Sequence, residues 1–577
     1  MTVDWPVWGL FLPLGILILL SSLDDLFLDA YFVVHWLRGK DGSERAAALP
    51  EKRIAIFVPL WKESAVIVGM VEHNLSAIRY RDYEFFIGAY PNDEPTLEAV
   101  RDLEERYARV HLAVCPHDGP TSKADCLNWI YQNMLLYEEK QAISFDIVVT
   151  HDAEDLIHPE ALDSINRETE RFGMVQIPVL PLPTPLGSWV HGVYCDEFAE
   201  WQLKDMPMRV AMGSFVPSNG VGTGYTRDAL DQLATVDHNL IFEPGCLTED
   251  YENGLRLHHL GVPQTFIPIG GAATREYFPR SLRGAIRQRT RWVTGIALQS
   301  WARHGWRGGR AQKFWFWRDR KGLLGNPIGL LANLLFVAGL VCWASGRVVM
   351  GQHMMSRQLL WVTAGLQVER LAVRFVCTAR LYGIGFALGV PVRAFVANYI
   401  NAVSTIRALW VYSSARLHGQ PLVWLKTEHA YPSRNALAGH RRRLGEVLAG
   451  SGYISDDALA SALGAQPAGV RLGRFLVERG EITEEELYEA LSLQQSVPAG
   501  ELAPDRVDGL VTRLLPRWVV RDWRILPYQI SSGNLFLASP EVPSDEMTRA
   551  VRGFTRLSLR FRLVTPANFE SLVRQLL

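Results

Sequence analysis

The sequence predicts an α/β domain inserted between transmembrane helices, followed by a small C-terminal α+β domain. Three observations support this prediction. Short apolar, β-branched runs alternate with helix-like stretches through the first half of the chain. Two long stretches without any charge, residues 7–23 and 323–346, flank that half. A repeat with a period of 28 residues begins at Arg443, where the apolar density has already fallen.

The overall composition limits the classes of function. The chain has 577 residues, 48% hydrophobic and 21% charged, as in ordinary globular proteins, and it is long enough for roughly three or four domains. Its formal net charge of −2 lacks the basic surplus of a nucleic-acid-binding protein, so we expect neither DNA nor RNA as a partner. The six cysteines include no C-x-x-C pair, which disfavours a disulfide framework and a zinc ribbon.

The uncharged stretches indicate segments in a lipid bilayer. We predict a transmembrane segment over residues 1–37 and transmembrane or interfacial helices over residues 323–413, where arginines interrupt the apolar sequence. A cleaved signal peptide is the alternative for the first stretch, but only Asp4 precedes the apolar run and a basic n-region is missing. Basic residues follow the first stretch and precede the second. The positive-inside rule therefore assigns residues 38–322 to the cytoplasm and predicts at least three spans.

One predicted strand of the α/β domain ends in a cluster of acids. Strand-like runs begin at residues 54, 84, 110, 146 and 174, which suggests a mostly parallel sheet covered on both faces. Ligands bind beyond the carboxyl ends of such strands, and the run DIVVT is followed there by Asp152, Glu154 and Asp155. We predict that Asp152 and Glu154 hold Mg²⁺ or Mn²⁺ together with substrate phosphates, with Asp155 as the alternative second ligand. A solvated acidic turn is the competing interpretation.

Further motifs accompany this cluster in a fixed order. They are VPLWKE at residues 58–63, PND ending at Asp93, KADCLN at residues 123–128, DAED at residues 152–155, and TED at residues 248–250 followed by QRTRW at residues 288–292. Over about residues 50–300 this set resembles the membrane-bound family-2 glycosyltransferases with a GT-A fold, the group that includes cellulose and hyaluronan synthases.

The resemblance implies a role for each motif. A cation held by Asp152 and Glu154 would bind the departing diphosphate of a nucleotide-sugar, and Asp250, beside Glu249, would accept the proton of the attacking hydroxyl. Direct displacement would invert the anomeric centre. Arginines of QRTRW would neutralise the diphosphate, although they also suit a basic helix on an anionic membrane. The residues implied in donor binding are Glu63, Asp93, Lys123, Asp152, Gln288, Arg289, Arg291 and Trp292.

The repeat predicts two similar helical hairpins. Residues 443–466 align with residues 471–494 at a constant offset of 28, with ten identities. Each copy predicts a short helix stopped by glycine and a capped second helix. Thr483 with Glu486 forms a capping box, and Ser455 caps the equivalent helix of the first copy. The leucines form a core in any interpretation, whereas the paired Arg-Leu-Gly residues also suit a flat ligand with two equivalent halves.

The repeat resembles the MshEN domain, known from secretion ATPases as a receptor for cyclic di-GMP. The resemblance extends to the C terminus. We therefore predict a linker over residues 414–442 and a cyclic di-GMP-binding domain over residues 443–577, with a β-hairpin around residues 531–534. The residues implied to contact the dinucleotide are Arg443, Leu444, Gly445, Leu448, Gly452, Arg471, Leu472, Gly473, Leu476 and Gly480.

The order of these parts resembles the bacteriophage adsorption protein B family over nearly the whole chain. It implies a bacterial inner-membrane protein with an outer-membrane export partner. The expected activity is a metal-dependent, inverting glycosyltransferase that transfers sugar from a nucleotide-sugar, a UDP-sugar, to a glycan acceptor, builds an exported polysaccharide and is activated by cyclic di-GMP. The alternatives are a non-processive transferase to a lipid carrier and a non-catalytic cyclic di-GMP receptor that scaffolds glycan export.

Overall fold

The computed structural model describes residues 4–38, 49–236, 239–269, 272–345, 354–420, 422, 443–450, 453–467, 469–495, 497–531 and 534–576. The chain divides into two compact units. The first comprises residues 1–68 and 82–432, and the second comprises residues 69–81 and 433–577.

A mixed sheet forms the centre of the first unit. Its seven strands are Ile54–Pro59 (β1), Tyr83–Ala89 (β2), Val110–Val114 (β3), Ile147–Thr150 (β4), Met174–Gln176 (β5), Thr223–Thr226 (β7) and Gln264–Phe266 (β8). The order is β3-β2-β1-β4-β7-β5-β8, and the first four strands are parallel. Strand β7 runs antiparallel to both β4 and β5, while β8 is parallel to β5. Two further strands, Val179–Pro181 (β6) and Thr274–Glu276 (β9), pair in a separate small sheet.

The sheet departs from the prediction in two places. The runs at residues 54, 84, 110 and 146 are strands, as predicted, but the run at residue 174 is divided between β5 and β6. Pro178 lies between them, and a proline has no N–H to donate to a sheet ladder. No periodic signal marks β7, because it has four residues and contains Gly224. The sheet is therefore mixed, but six of its seven strands run in the same direction, so it is mostly parallel as predicted.

Helices precede, separate and follow these strands along the chain, and the helix at residues 67–77 belongs largely to the second unit. They are Asp4–Arg38 (α1), Ile67–Ala77 (α2), Glu94–Arg106 (α3), Lys123–Gln141 (α4), Ala161–Glu168 (α5), Trp189–Glu200 (α6), Met206–Ala211 (α7), Arg227–Val236 (α8), Glu249–His259 (α9), Leu282–Trp292 (α10), Ser300–His304 (α11), Arg310–Ala344 (α12), Met354–Tyr382 (α13), Ile384–Ala387 (α14) and Val390–Leu417 (α15). Two π-helical segments, Trp201–Asp205 and Val293–Gln299, follow α6 and α10 directly. The largest core cluster packs α4 against the sheet.

The long helices α1, α12, α13 and α15 carry many exposed apolar side chains. Among the described residues, one helical segment, Arg310–Cys342, is long and apolar enough to cross a membrane. The three or more predicted spans therefore stay a prediction. Two of the arginines that interrupt residues 359–412 form ion pairs with acids of α6. Arg393 contacts Asp196 at 2.7 Å, and Arg374 contacts Glu200 at 2.8 Å.

A buried group of charges joins three of these helices to the end of α6. On α12, Arg318 and Lys321 each contact Asp24 and Asp25 of α1 at 2.8 to 2.9 Å. In the π-helical segment after α6, Lys204 contacts Asp29 at 2.6 Å and Glu200 at 2.7 Å. We name this group, together with Arg374, the inter-helix charge cluster. Each acid in it has a basic partner in direct contact.

The second unit contains the repeat as predicted. The first helices of the two copies are Leu444–Gly450 (α16) and Leu472–Glu478 (α18), and the second helices are Asp456–Ala465 (α17) and Glu484–Gln495 (α19). Both pairs of start positions differ by the 28 residues of the repeat. The capping box is confirmed, because Thr483 N donates to Glu486 Oε2 at 2.7 Å and Glu486 N donates to Thr483 Oγ1 at 3.1 Å. Ser455 Oγ accepts from Ala458 N at 3.3 Å.

A small sheet follows the repeat. Strands Leu526–Ser531 (β10) and Asn534–Ser539 (β11) are antiparallel and confirm the predicted hairpin, although its central residues 532–533 lie outside the described part of the chain. Strand Ser558–Leu563 (β12) is parallel to β11. Helices Arg517–Asp522 (α20), Asp545–Arg552 (α21) and Pro566–Leu576 (α22) pack with it around a separate apolar core.

Candidate active site

One cavity opens in the first unit at the carboxyl ends of β1 and β4. Ligands of α/β folds bind at this edge of the sheet. All the residues predicted for catalysis, donor binding and metal binding line it except Asp93 and Arg289. The residues brought together are Glu63, Lys123, Asp152, Glu154, Glu249, Asp250, Gln288, Arg291 and Trp292.

The carboxylates of the acidic turn after β4 have two different environments. Asp152 and Glu154 line the cavity, whereas Asp155 turns away from it. Asp155 Oδ2 accepts from Asp152 N at 3.0 Å and lies 2.7 Å from His151 Nδ1. Burial lowers the pKa of His151 to about 3, so its ring is neutral. Asp155 therefore shapes the turn, and Glu154 is the second cavity carboxylate.

Lys123 interacts with cavity carboxylates from two segments of the chain, the turn after β4 and the start of α9. It occupies the first position of α4, where a positive charge opposes the helix dipole. Its Nζ lies 2.6 Å from Asp152 Oδ1 and donates to Gly220 O at 3.4 Å. Burial alone would lower the pKa of Lys123, but the charges of Asp152 and Glu249 raise it, so the ammonium stays charged. The carboxylates of the site thus stabilise the charge of Lys123 at a helix position that the helix dipole disfavours.

Glu249 and Asp250 are the first two residues of α9 and line the same cavity. Asp250 Oδ1 accepts from Tyr251 N at 2.7 Å. Gly220, with φ +79°, passes so close that a methyl group there would lie 2.7 Å from Asp250 Oδ2 and 3.3 Å from Lys123 Nζ. Burial raises the pKa of Asp250 while Lys123 opposes the increase, and burial together with Asp250 raises the pKa of Glu249. Raised carboxyl pKa values suit proton acceptance near neutral pH.

Helical spacing decides which residues of QRTRW reach the cavity. Gln288, Arg291 and Trp292 lie at positions i, i+3 and i+4 of α10 and share one face, which lines the cavity. Arg289 is on another face, contrary to the prediction. There it pairs with Glu197 at 2.5 Å and donates to Asn401 Oδ1 on α15 at 2.6 Å. Arg289 therefore ties α10 to neighbouring helices and does not contact a donor in the cavity.

The helix that carries QRTRW also contacts the TED loop. Past Trp292 the helix becomes π-helical, and Gly295 in that segment lies against Thr248. A methyl group on Gly295 would lie 2.3 Å from Thr248 Oγ1, so only glycine permits this approach. Wide turns of this kind recur at functional sites. The contact fixes the loop before Asp250 relative to Trp292.

Asp93 was predicted to bind the donor, but it lies outside the cavity lining. Its Oδ2 accepts from Lys62 N at 2.5 Å, and Lys62 has a left-handed φ of 56°. Thr96 Oγ1, on α3, accepts from Glu63 N at 3.1 Å. These two bonds hold the loop after β1 and place Glu63 at the cavity. The structure thus gives Asp93 a role in shaping the wall.

Two segments of the wall were missed by the sequence analysis. Residues 276–279 (EYFP) follow β9, and Phe278 stacks on Tyr194 with 4.8 Å between ring centroids. Asn219 and Val221 flank Gly220 on another wall. The available signals were the glycine-rich run SNGVGTG at residues 218–224 and the aromatic EYFP between TED and QRTRW. Residues 218–222 and 277–279 of these runs lie in loops, which periodicity does not mark.

The cavity carboxylates suit a hard divalent cation. Asp152 and Glu154 supply oxygen donors of the kind that Mg²⁺ and Mn²⁺ prefer, two residues apart on one turn. Within the described ranges, no group of three or more His, Cys, Asp or Glu side chains is arranged to hold a metal ion. Asp152 and Glu154 suit a cation whose remaining ligands would be oxygens of a bound diphosphate.

The predicted cyclic di-GMP residues of the second unit differ in exposure. The paired arginines Arg443 and Arg471 are exposed at the starts of their hairpins. Leu448 and Leu476 are fully buried, and their contact with the ligand stays a prediction. Gly452 lies outside the described residues.

The repeated glycines have a packing role in these hairpins. A methyl group on Gly473 would lie 2.4 Å from Leu487 Cδ1, and one on Gly445 would lie 3.0 Å from Leu459 Cδ1. Glycine at these positions therefore lets the two helices of each hairpin approach closely. Gly480 has a left-handed φ of 72°, which suits its place at the end of α18. Leu444 and Leu472 are half-buried.

Two family models match the chain, one in its first half and one from the end of the second hairpin onward. The family model described as glycosyltransferase like family 2 matches residues 50–295, and that of the MshEN domain matches residues 495–577. Among solved structures, MshE with cdg is 27% identical, covers 24% of this chain and 100% of its own, and has a TM-score of 0.22. The mannosyltransferase of Pyrobaculum calidifontis with GDP-Man and Mn²⁺ is 16% identical, covers 66% of this chain and 98% of its own, and has a TM-score of 0.41.

A curated relative covers almost the entire sequence. Bacteriophage adsorption protein B of Escherichia coli strain K12 is 32% identical over 602 aligned positions, which include 96% of this chain and 80% of that protein. The alignment therefore spans the glycosyltransferase domain, the long helices and the MshEN domain together. The chain belongs to the bacteriophage adsorption protein B family.

Proposed function

We propose that this chain is a metal-dependent, inverting glycosyltransferase of the bacterial inner membrane. It transfers sugar from a nucleotide-sugar, a UDP-sugar, to a growing glycan for export, and cyclic di-GMP activates it. One observation carries the enzymatic part of the proposal. Carboxylates from β4 and α9, a buried lysine and the Gln288, Arg291 and Trp292 face of α10 all line one cavity.

The leaving group is held by the cationic side of the cavity. Lys123 and Arg291 are the positive groups in the lining, and both suit the oxygens of a diphosphate. Asp152 and Glu154 would hold a divalent cation, which neutralises the charge that develops on the departing diphosphate. The lysine keeps its charge beside these acids, so it can bind phosphate without any change of protonation.

The attacking hydroxyl meets the opposite wall. Asp250 accepts its proton as the oxygen attacks the anomeric carbon, and the raised carboxyl pKa favours that transfer. Attack from the side opposite the leaving group inverts the anomeric centre. Trp292 provides an apolar face for a sugar ring, and Gln288 provides hydrogen bonds to its hydroxyls. The two walls thus divide leaving-group stabilisation from proton acceptance.

The membrane location is proposed from the long helices. Helix α12 contains a segment of sufficient length and hydropathy to span a bilayer, and its apolar side chains are exposed. In the positive-inside interpretation, the cavity faces the cytoplasm, where nucleotide-sugars are made. Export of the glycan then requires a partner in the outer membrane. The membrane location, the cytoplasmic side of the cavity and the export partner are all proposed from the family resemblance and from the sequence.

Control by cyclic di-GMP is proposed from the repeat. The exposed Arg443 and Arg471 occupy equivalent positions in two hairpins, so a ligand with two equivalent guanine halves could contact both. A ligand raises activity only by binding the active arrangement more tightly than the resting one. We expect Arg443→Ala combined with Arg471→Ala to abolish the response to cyclic di-GMP, and undiminished activation would exclude the repeat as receptor.

Sugar transfer by the full-length protein tests the enzymatic proposal. We expect turnover of a nucleotide-sugar with Mg²⁺ or Mn²⁺, inverted stereochemistry in the product, and loss of about a hundred-fold or more in kcat for Asp250→Asn. Full glycan output by Asp250→Asn would instead favour a scaffold without catalysis. The length of the product distinguishes chain extension from transfer of one sugar to a lipid carrier.

A further inference from the structure

The residue after the proposed base also contacts a long apolar helix. Tyr251 N donates to Asp250 Oδ1 at 2.7 Å, and Tyr251 Oη donates to Asp319 Oδ2 on α12, also at 2.7 Å. The tyrosine is buried, and its ring lies edge-on to Phe215 with 5.3 Å between centroids. One residue therefore connects the base with α12, because its backbone N–H bonds Asp250 and its side-chain hydroxyl bonds Asp319.

Asp319 is itself held in place by a buried arginine. Its Oδ1 accepts from Arg209 Nη2. The Arg209 guanidinium is fully buried, with the ring centroids of Trp315, Phe215 and Trp201 at 4.5, 5.1 and 5.2 Å. An arginine in such apolar surroundings requires a carboxylate partner, because an unpaired buried charge is strongly destabilising. Asp319 must therefore stay beside Arg209, which fixes the acceptor for Tyr251.

This connection lies where the sequence of α12 changes from charged to uncharged residues. Asp319 precedes the uncharged residues 323–344 of the helix. The same helix contains the described segment with the length and hydropathy of a membrane span. A displacement of α12 along its axis would carry Asp319 with it and pull on the first turn of α9.

We propose that Tyr251 and Asp319 are positioning residues that hold Asp250 in register with α12, so that proton acceptance depends on the placement of this helix. The inference rests on the proposed function, because it concerns the same base. Tyr251 does not line the cavity, so its effect on the reaction passes through Asp250. A role in folding alone would lower stability and leave the chemical step unchanged.

The test compares kcat with donor KM in the full-length protein. Tyr251→Phe removes only the hydroxyl and leaves the pair of Arg209 and Asp319 intact. We expect kcat per folded molecule to fall about ten-fold, a change of about 1.4 kcal/mol in the barrier. Donor KM is expected to stay within about two-fold, since a group that acts only on the transition state changes kcat and not ground-state binding.

A second buried tyrosine provides the matched control. Tyr131 Oη donates to Asp231 Oδ1 at 2.9 Å, and Tyr131 is absent from the cavity lining. Tyr131→Phe also removes a hydrogen bond to a carboxylate, so it should lower the unfolding temperature without lowering kcat. Equal kcat values for Tyr251→Phe and Tyr131→Phe would overturn the proposal.

Asp319→Asn provides a rescue arm. It keeps an oxygen that can accept from Tyr251 but loses the charge opposite Arg209, so we expect a lower unfolding temperature and a kcat above that of Tyr251→Phe. A folded Asp319→Asn protein with kcat below Tyr251→Phe would also overturn the positioning role. If this variant does not fold, the two tyrosine variants decide alone. Absence of sugar transfer by the unmodified protein would refute the proposed function instead.

Discussion

The cavity and the inter-helix charge cluster are both buried groups of charged side chains, but they differ in balance. In the inter-helix charge cluster, each acid contacts a base directly, as Lys204 does with Asp29 at 2.6 Å and with Glu200 at 2.7 Å. In the cavity, six carboxylates meet two positive groups, Lys123 and Arg291. The carboxylates are Glu63, Asp152, Glu154, Glu249, Asp250 and Glu276.

The ratio of acids to bases distinguishes charges that hold the structure together from charges that can bind a ligand or a proton. Where buried acids and bases are matched in number, no net negative charge is left to attract a further cation, and the main effect of the pairs is to hold helices together. A buried surplus of acids is unfavourable alone, and it becomes favourable once a cation or a proton is bound. The surplus in the cavity therefore indicates a binding and proton-accepting site. The balanced cluster indicates a junction between helices.

The largest expected effect comes from breaking the balanced cluster. Lys204→Met removes the base that Asp29 and Glu200 share and leaves their charges buried. We expect the free energy of unfolding to fall by about 3 to 5 kcal/mol, measured by thermal or denaturant unfolding. Lys52→Met, which breaks an exposed pair with Glu170, should cost less than about 1 kcal/mol. Equal losses would contradict the structural role of the cluster.

The next effect comes from neutralising an acid of the surplus. Asp152→Asn should lower sugar transfer at least about a hundred-fold, because it removes a cavity carboxylate that would hold the cation. Its unfolding temperature should change little, because Asp152→Asn loses the pair with Lys123 but Glu249 and Asp250 still stabilise the charge of that lysine. Asp25→Asn in the cluster should do the reverse and lower the unfolding temperature with little loss of kcat. Kinetics and thermal unfolding of both variants provide the test. A lower unfolding temperature for Asp152→Asn, or a large loss of kcat for Asp25→Asn, would contradict the distinction between the two groups of charges.

A smaller effect is expected from crowding the base. Gly220→Ala places a methyl group 2.7 Å from Asp250 Oδ2, and we expect a loss of about ten-fold or more in kcat. Gly213 has a similar left-handed φ of 70°, with no atom within 4 Å of an added methyl group. Gly213→Ala therefore carries the same backbone strain and should leave kcat unchanged. Loss of activity in both variants would attribute the effect to strain and not to Asp250.

The smallest effect is a shift in pH dependence. Asp250 accepts a proton only when ionised, so activity falls as the pH drops through its raised pKa. Lys123 opposes that increase, and Lys123→Met should therefore raise the pKa of Asp250 further. We expect the acid limb of kcat against pH to move to higher pH by about one unit. A limb that stays in place or moves to lower pH would argue against Asp250 as the titrating base.

The first four strands and the motif order could be predicted from the sequence because both are local patterns. The strand runs have clear apolar content, and Asp152 follows β4 directly. The placements of Asp93 and Arg289 were wrong for a different reason. Sequence adjacency suggests a shared role, whereas the 3.6-residue period of α10 turns Arg289 away from Arg291.

Other features depend on long-range contacts that leave no pattern in the sequence. The Tyr251 contact with Asp319 joins residues 68 positions apart. The contact of Gly295 with Thr248 is visible only when the chain is folded. Two of the arginines that interrupt the apolar sequence after residue 359, Arg374 and Arg393, pair with acids of α6 that lie 174 and 197 positions earlier. Sequence patterns identify the residues that can make such contacts, but they do not identify which residues pair.

The cavity draws Lys123, Asp152 and Asp250 from chain segments that meet only through the sheet. Contacts between distant segments form late in folding, because the loops between them must close first. An incompletely folded first unit would therefore have no site at all. We expect a bound donor analogue to slow proteolysis of this whole unit, and cells short of nucleotide-sugar to hold a larger fraction of degradable chains.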